Sequence, residues 1–352
     1  MRKSSLFATT APIGPGHGGG IVSWNECLAL SQVTGLCQVI APGERGSDAS
    51  VVTRLDLHQD PFTQDALAAR EVRKVEVAFL NGATWNEVVK AARAQYVIVD
   101  CPAHNLEASV EEFGRLGLEY PYRHMTDREA FMRYTAFIRD ADLILCPSQM
   151  SANYLMQNPG TKARVVVIPH GADLPETTST FPDRFTVGFL GAGGPDKGLA
   201  YLYRAWAGLL YTDAELLIAG GGHDVAIPTL ARTQRRFLGK VEDTAAFYQS
   251  LSVYVQPSVT EGFGLPILEA MAHGRPVVVT SGAGVSELVT DGVDGYVVPV
   301  RRPDLIADAL DTFKRSPSAI ERMGRAARAT AERYGWERAR TDIREAVSSV
   351  IS

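Results

Sequence analysis

The stretch PSVTEGFGLPILEAMAHGRPVVVTSGAGVSELVTDGVDGYVVP, residues 257–299, decides how this chain folds. It follows the apolar run SVYVQ and itself contains RPVVVTS and GYVVP, making three short β-branched runs bounded by turn formers, which read as buried strands. Between the first two lies a helical segment in which Pro266 suits the first turn. Strand, helix and strand in that order form the unit of a parallel sheet covered by helices. Glu261 ends the loop after the first strand and Glu269 lies on the helix, so two carboxylates flank one helix N-terminus, while Gly262 and Gly264 permit tight backbone turns between them. N–H groups at such an end attract a phosphate, and the carboxylates can accept hydrogen bonds from vicinal diols such as those of ribose and hexoses. Taken alone, the two residues read equally well as a glutamate favoured by the helix dipole beside an exposed one.

The same alternation extends upstream. From about residue 164, RVVVIPHG, FTVGFLG, AELLIAGGG and RRFLGKV are further strand candidates, and KGLAYLYRAWAGLLY is the clearest helix, with Leu199, Leu202, Trp206, Leu209 and Leu210 on one stripe. An earlier series, SLFAT (5–9), CQVIAP (37–42), YVIVD (96–100) and ADLILCPS (141–148), repeats the theme, with Ile21, Trp24, Leu28 and Val33 on a helix that stops at Gly35. Residues 43–80 carry no comparable pattern. The fold class is therefore α/β with two consecutive doubly wound, Rossmann-like domains. Turn formers between Pro169 and Pro175 mark the join, giving expected domains 1–168 and 169–334. From 303 the chain is helical, broken at Ser316-Pro317 and at Gly335, and residues 335–352 are expected to return to the first domain.

Composition narrows the partners. The 352 residues carry 35 Lys plus Arg against 40 Asp plus Glu, a net charge of -5, so no nucleic-acid partner is indicated. No apolar run approaches the ~18 residues of a membrane span, and the basic trio Arg70, Arg73 and Lys74 is too small to signal peripheral membrane binding. Cys27, Cys37, Cys101 and Cys146 form no C-x-x-C pair and read as reduced thiols, and the opening MRKSSLFATTAP lacks an apolar signal region, so the expected location is cytoplasmic.

Gly14, Gly16 and Gly19 satisfy G-x-G-x-x-G after a strand, a dinucleotide-binding spacing. That reading needs an acidic residue at the end of the second strand to hold ribose, and here the strand ends in Ala41 and Pro42 with Glu44 already in a loop. NAD is disfavoured. Gly18, Gly19 and Gly20 before a helix still allow close approach of an anion to backbone N–H groups, as would a ligand-free strand-to-helix turn.

The spacing of Glu261 and Glu269 around GFGLPIL resembles the E-x7-E signature of retaining, nucleotide-sugar-dependent glycosyltransferases of family four, which have the GT-B fold. VIPHGAD, VGFLGAGGPDKGL, LLIAGGGHD and RRFLGKV resemble successive segments of the same family, and GHGGGIVSWNECLAL its N-terminal glycine loop and helix. The resemblance implies two Rossmann-like domains facing across a cleft, with the nucleotide-sugar donor on the second and an acceptor glycan, lipid or small molecule on the first. It implies that Glu269 binds the nucleotide ribose, that Glu261 faces the donor sugar, and that Gly262, Phe263, Gly264 and Leu265 hold sugar and diphosphate through backbone. Lys197 would neutralise the leaving diphosphate, with Gly19, Gly20, Gly191 and Gly239 also lining the donor. His124 corresponds to a histidine close to the donor sugar, although a structural role suits it equally, and His17 and His104 are acceptor candidates. His170 and His273 read as structural. The family's usual arginine ahead of the lysine is replaced by Ala192.

No cofactor is expected beyond the donor co-substrate. The sequence has no D-x-D pair poised at a strand end and no metal-ligand constellation, in keeping with metal-independent front-face transfer with retention. Two other readings of these motifs are a non-catalytic nucleotide-sugar-binding subunit, prompted by Ala192, and a sugar-nucleotide epimerase.

Overall fold

The computed structural model describes residues 3–9, 19–42, 52–55, 74–81, 86–101, 106–115, 117–119, 136–157, 161–191, 194–221 and 235–352. The chain divides into two compact units: residues 1–103, 122–170 and 336–352 form one, and residues 104–121 and 171–335 the other.

Unit 1 is built on a seven-stranded parallel sheet of β1 (Ser4–Thr9), β2 (Gly35–Pro42), β3 (Val52–Leu55), β4 (Val77–Asn81), β5 (Tyr96–Asp100), β6 (Leu143–Cys146) and β7 (Arg164–Val167), in the order β3-β2-β1-β4-β5-β6-β7. β4 is buried at every position and apolar at all but its last, Asn81, as a central strand covered on both faces must be. One face packs Leu6, Leu80 and Val99 against Val88 of α2 (Asn86–Ala92) and Leu155. The other packs Phe7, Phe79 and Ile98 against α1 (Gly19–Val33) and against Ile343, Ala346 and Val347 near the end of the chain. α3 (Leu106–Arg115) follows β5 in sequence but belongs to unit 2. α4 (Ala136–Arg139) and α5 (Gln149–Gln157) complete the unit up to β7.

Unit 2 carries a six-stranded parallel sheet of β8 (Phe185–Leu190), β9 (Ala214–Ala219), β10 (Arg235–Gly239), β11 (Val253–Gln256), β12 (Val277–Thr280) and β13 (Gly295–Val298), in the order β10-β9-β8-β11-β12-β13. Its helices are α6 (Leu199–Leu209), α7 (Thr244–Gln249), α8 (Leu265–Ala272), α9 (Pro303–Arg315) and α10 (Pro317–Glu332). α11 (Trp336–Ile351) follows the break at Gly335 and packs on unit 1.

Four features depart from the sequence reading. Arg164–Val167, grouped there with the second series of strands, pairs with β6 and closes the edge of the first sheet. β3 and β4 lie where no pattern was legible. Leu210, expected on the buried stripe of α6, is 84% exposed: the helix ends at Leu209 and Leu210 takes a left-handed φ of 49°, which turns it to solvent. α3, finally, sits with unit 2 although its sequence neighbours on both sides belong to unit 1.

Candidate functional site

In doubly wound sheets, ligands bind beyond the carboxyl ends of the strands where the strand order reverses. In unit 2 that reversal falls between β8 and β11. The chain leaving β8 forms a 3-10 turn, Pro195–Lys197, and the chain leaving β11 runs through Pro257 to Glu261, and the Lys197 ammonium donates to the Glu261 carboxylate across the gap.

The backbone fixes both partners. Gly198 turns the chain at φ 69°, where a Cβ would stand 1.9 Å from the Pro257 carbonyl oxygen, so only glycine allows the two loops to touch. Val259 N–H donates to the Asp196 carbonyl at 2.7 Å, joining the loops directly. Behind Glu261, its own N–H donates to the Gly282 carbonyl at 2.8 Å, its carbonyl receives Gly284 N–H at 3.1 Å, and Val285 N–H donates to Phe263 at 2.8 Å. Both ends of the ion pair retain about a fifth of their side-chain exposure, 22% for Lys197 and 21% for Glu261, so a ligand can reach them. Burial alone lowers the Lys197 pKa, but the charge and hydrogen bond of Glu261 and the charge of Asp196 outweigh it and hold the ammonium protonated, above its ordinary value.

Glu269 stands on α8, where its carboxylate accepts the Tyr248 hydroxyl at 2.6 Å and its carbonyl meets His273 Nδ1 at 2.8 Å. Tyr254 links the elements: its hydroxyl donates to the Leu190 carbonyl at the end of β8, 3.1 Å away. Its pKa is pushed up by burial and by the charges of Glu269 and Glu261, against the lowering effect of the Leu190 N–H, which donates to the hydroxyl oxygen at 3.4 Å. The N-terminus of α8 begins at Gly264, φ 99°, with no side chain capping it, and Pro266 lies in its first turn. Leu265 and Phe263 are buried beside it, at 8% and 4% exposure. Gly191, Gly220 and Gly239 close the ends of β8, β9 and β10. Gly191 N–H bonds to Ala219, Gly220 N–H bonds to Gly239, and a Cβ on Gly220 would lie 1.9 Å from the Gly191 carbonyl oxygen.

The structure thus brings Lys197 and Glu261 into contact, holds Glu269 on the neighbouring helix, and sets Gly191 and Gly239 at the ends of β8 and β10, on either side of β9. Gly19 and Gly20 open α1 in unit 1. His17, His104, His124 and Ala192 lie outside the described residues. His170 faces Trp336 with ring centroids 6.3 Å apart, and burial, aided by Arg338, lowers its pKa to about 4, which suits a packing role. Sequence reasoning missed Tyr248, whose hydroxyl holds the Glu269 carboxylate from α7, and Tyr254, whose hydroxyl ties β11 to the end of β8; both occupy buried positions that an apolar pattern reads as core. Asp142, in the literal D-x-D of Asp140 and Asp142, accepts the Val97 N–H at 2.7 Å, so its carboxylate stands at the start of β6. Among the described residues, no group of three His, Cys, Asp or Glu side chains could hold a metal ion, and no helix is long and apolar enough to cross a membrane.

Comparison with known proteins places this geometry in a family. Residues 184–314 match the family model described as glycosyl transferases group 1. The D-inositol 3-phosphate glycosyltransferase of Kribbella flavida is 32% identical over 343 residues, covering 88% of this chain and 77% of that protein. Sucrose-phosphate synthase from Thermosynechococcus elongatus superposes with a TM-score of 0.77 at 17% identity, covering 99% of both chains. HepE of Anabaena, solved with UDP-glucose, does so with a TM-score of 0.72 at 18% identity, covering 99% of this chain and 100% of that one. The two parallel α/β units are those of the GT-B fold, and the chain belongs to the group 1 glycosyltransferases.

Proposed function

We propose that the protein transfers a sugar from a nucleoside-diphosphate sugar to an acceptor hydroxyl with retention of anomeric configuration and without a metal ion. The observation that carries this reading is the Lys197–Glu261 pair at the strand-order reversal of the second sheet, with Glu269 beside it on α8. A diphosphate entering the gap draws Lys197 away from Glu261 and receives the first-turn amides of α8, while the freed Glu261 carboxylate accepts hydroxyls of the donor sugar and Glu269 those of the ribose. As the bond from the anomeric carbon to the diphosphate breaks, negative charge grows on the leaving oxygen, where Lys197 stabilises it. The acceptor oxygen bonds to the anomeric carbon on the same face and its proton passes to the departing phosphate, so no protein nucleophile is required. Family membership favours this transfer over an epimerase or a non-catalytic subunit.

A thermal-shift screen of UDP, GDP, ADP and CDP sugars identifies the donor, because a ligand that binds only the native state raises its melting temperature. Transfer is then assayed with an acceptor panel. The similarity to a D-inositol 3-phosphate glycosyltransferase puts inositol and its phosphates first on that panel. The anomeric proton of the product, read by NMR, reports retention, and activity is expected to persist in EDTA. Lys197→Ala is expected to lower kcat by about 10²–10³-fold, the cost of losing one group that stabilises developing charge. An inverted product, or Lys197→Ala turning over at the wild-type rate, overturns the reading.

A further inference from the structure

α3 leaves the first sheet after β5 and returns to it before β6, yet it is seated on unit 2 and packs against the 3-10 turn that carries Lys197. Its buried positions, Leu106, Ser109 and Glu112, fall on one stripe, and Ala108 packs against the core of unit 2. A glutamate on such a stripe is unusual, and here each of its carboxyl oxygens has a partner. Glu112, 2% exposed, accepts the Tyr201 hydroxyl at 2.6 Å and Arg301 Nε at 2.9 Å, and Arg301 Nη2 reaches Glu111 at 3.1 Å. Tyr201 lies in the first turn of α6, directly after the Lys197 turn, with its N–H bonded to the Gly198 carbonyl at 2.8 Å. Three segments distant in sequence therefore meet at one buried carboxylate.

Arg301 adds an independent observation. It holds a left-handed φ of 60°, which glycine adopts freely and arginine does not. Strain of this kind survives where the surroundings impose it, and here the two glutamates of α3 hold the guanidinium.

We infer that Glu112 and Arg301 are positioning residues of the donor site: through Tyr201 they lock α3 onto the Lys197 turn and fix the lysine where the donor phosphates arrive. This rests on the proposed role of Lys197 as the diphosphate cation. The lysine must exchange Glu261 for phosphate without its turn moving, and misplacement of about 1 Å is enough to cost roughly 10²-fold in rate.

The test measures the affinity of UDP, GDP and ADP by calorimetry, together with kcat and KM for hydrolysis of UDP-glucose and GDP-mannose, in wild type, Glu112→Gln, Arg301→Gly, Arg301→Lys and Tyr201→Phe. Arg301→Gly relieves the backbone while removing the guanidinium, so a merely local structural role predicts an unchanged or higher melting temperature with activity intact. The inference predicts instead that Arg301→Gly and Glu112→Gln lose at least 10-fold in kcat/KM, with weaker diphosphate binding, while their cooperative unfolding is retained, and that Arg301→Lys recovers part of the loss. Tyr201→Phe, which removes one hydroxyl and keeps the packing, is expected to lose about threefold and carries the test if the charge variants fail to fold. Binding and kcat/KM within twofold of wild type in the folded variants overturn the inference alone. A wild type that binds none of the three diphosphates overturns it together with the reading of Lys197 on which it rests.

Discussion

At the carboxyl ends of β4 and β5, the Asn81 amide donates to Glu26 at 2.5 Å and to Asp100 at 3.1 Å, and the two carboxyls are 2% and 3% exposed. Burial raises Asp100 to about 7, and burial followed by the charge of Asp100 raises Glu26 well above the usual range, so the pair holds a proton in the folded state. The unfolded chain releases the Asp100 proton near pH 4 and the folded one near pH 7, so stability falls as pH rises through this window, and the raised Glu26 acts in the same direction. Asp100→Asn keeps an acceptor for Asn81 and removes the charge. It is expected to gain about 1–3 kcal/mol at pH 8, with little gain at pH 4. Urea denaturation at the two pH values checks this, and parallel wild-type and variant curves would disprove it. Tyr248, 1% exposed, supports Glu269 through one hydrogen bond, so Tyr248→Phe should weaken nucleoside-diphosphate binding by about fivefold, on the order of 1 kcal/mol, with the fold intact. Unchanged calorimetric affinity would separate Tyr248 from the site.

Elements were legible in the sequence where their chemistry is local. Glu261, Glu269, Gly264 and Pro266 announce a loop and helix start because turn geometry and capping depend on neighbours in the chain, and the loop and helix form there. α3 was not legible as a part of unit 2, since what seats it is Tyr201 and Arg301, 89 and 189 residues away. β3 and β4 were missed because residues 43–80 offered no bounded, alternating signal, although β4 becomes a central strand once its neighbours cover it. Lys197 was legible only through the family resemblance, and the glycine that fixes its turn, Gly198, makes a sharp test of the geometry. Gly198→Ala places a Cβ against the Pro257 carbonyl at a positive φ, and about 1–3 kcal/mol of stability should be lost along with donor binding. Gly208→Ala, in α6 with nothing within 4 Å, should instead gain about 0.5–1 kcal/mol and leave binding unaltered. Chemical denaturation of both variants makes the comparison, and equal effects would show that the turn tolerates a side chain.

On the scale of the whole molecule, each unit has its own sheet and its own buried core, so calorimetric unfolding is expected to resolve two transitions. A nucleoside diphosphate should raise only the one belonging to unit 2. Val347→Asp, at a fully buried position of α11, should lower only the other, by at least about 3 kcal/mol for an unpaired buried charge. A single transition shifted by both perturbations would contradict the assignment of α11 to unit 1. That assignment also bears on synthesis. Chains emerge from the ribosome amino end first, and domains commonly fold in that order. Here every residue of the second unit has been made by Gly335, whereas the first still awaits residues 336–352 and the apolar face of its last helix. The unit that is translated first is therefore the last to be completed, and until then Phe7, Phe79 and Ile98 lack part of their cover on the nascent chain.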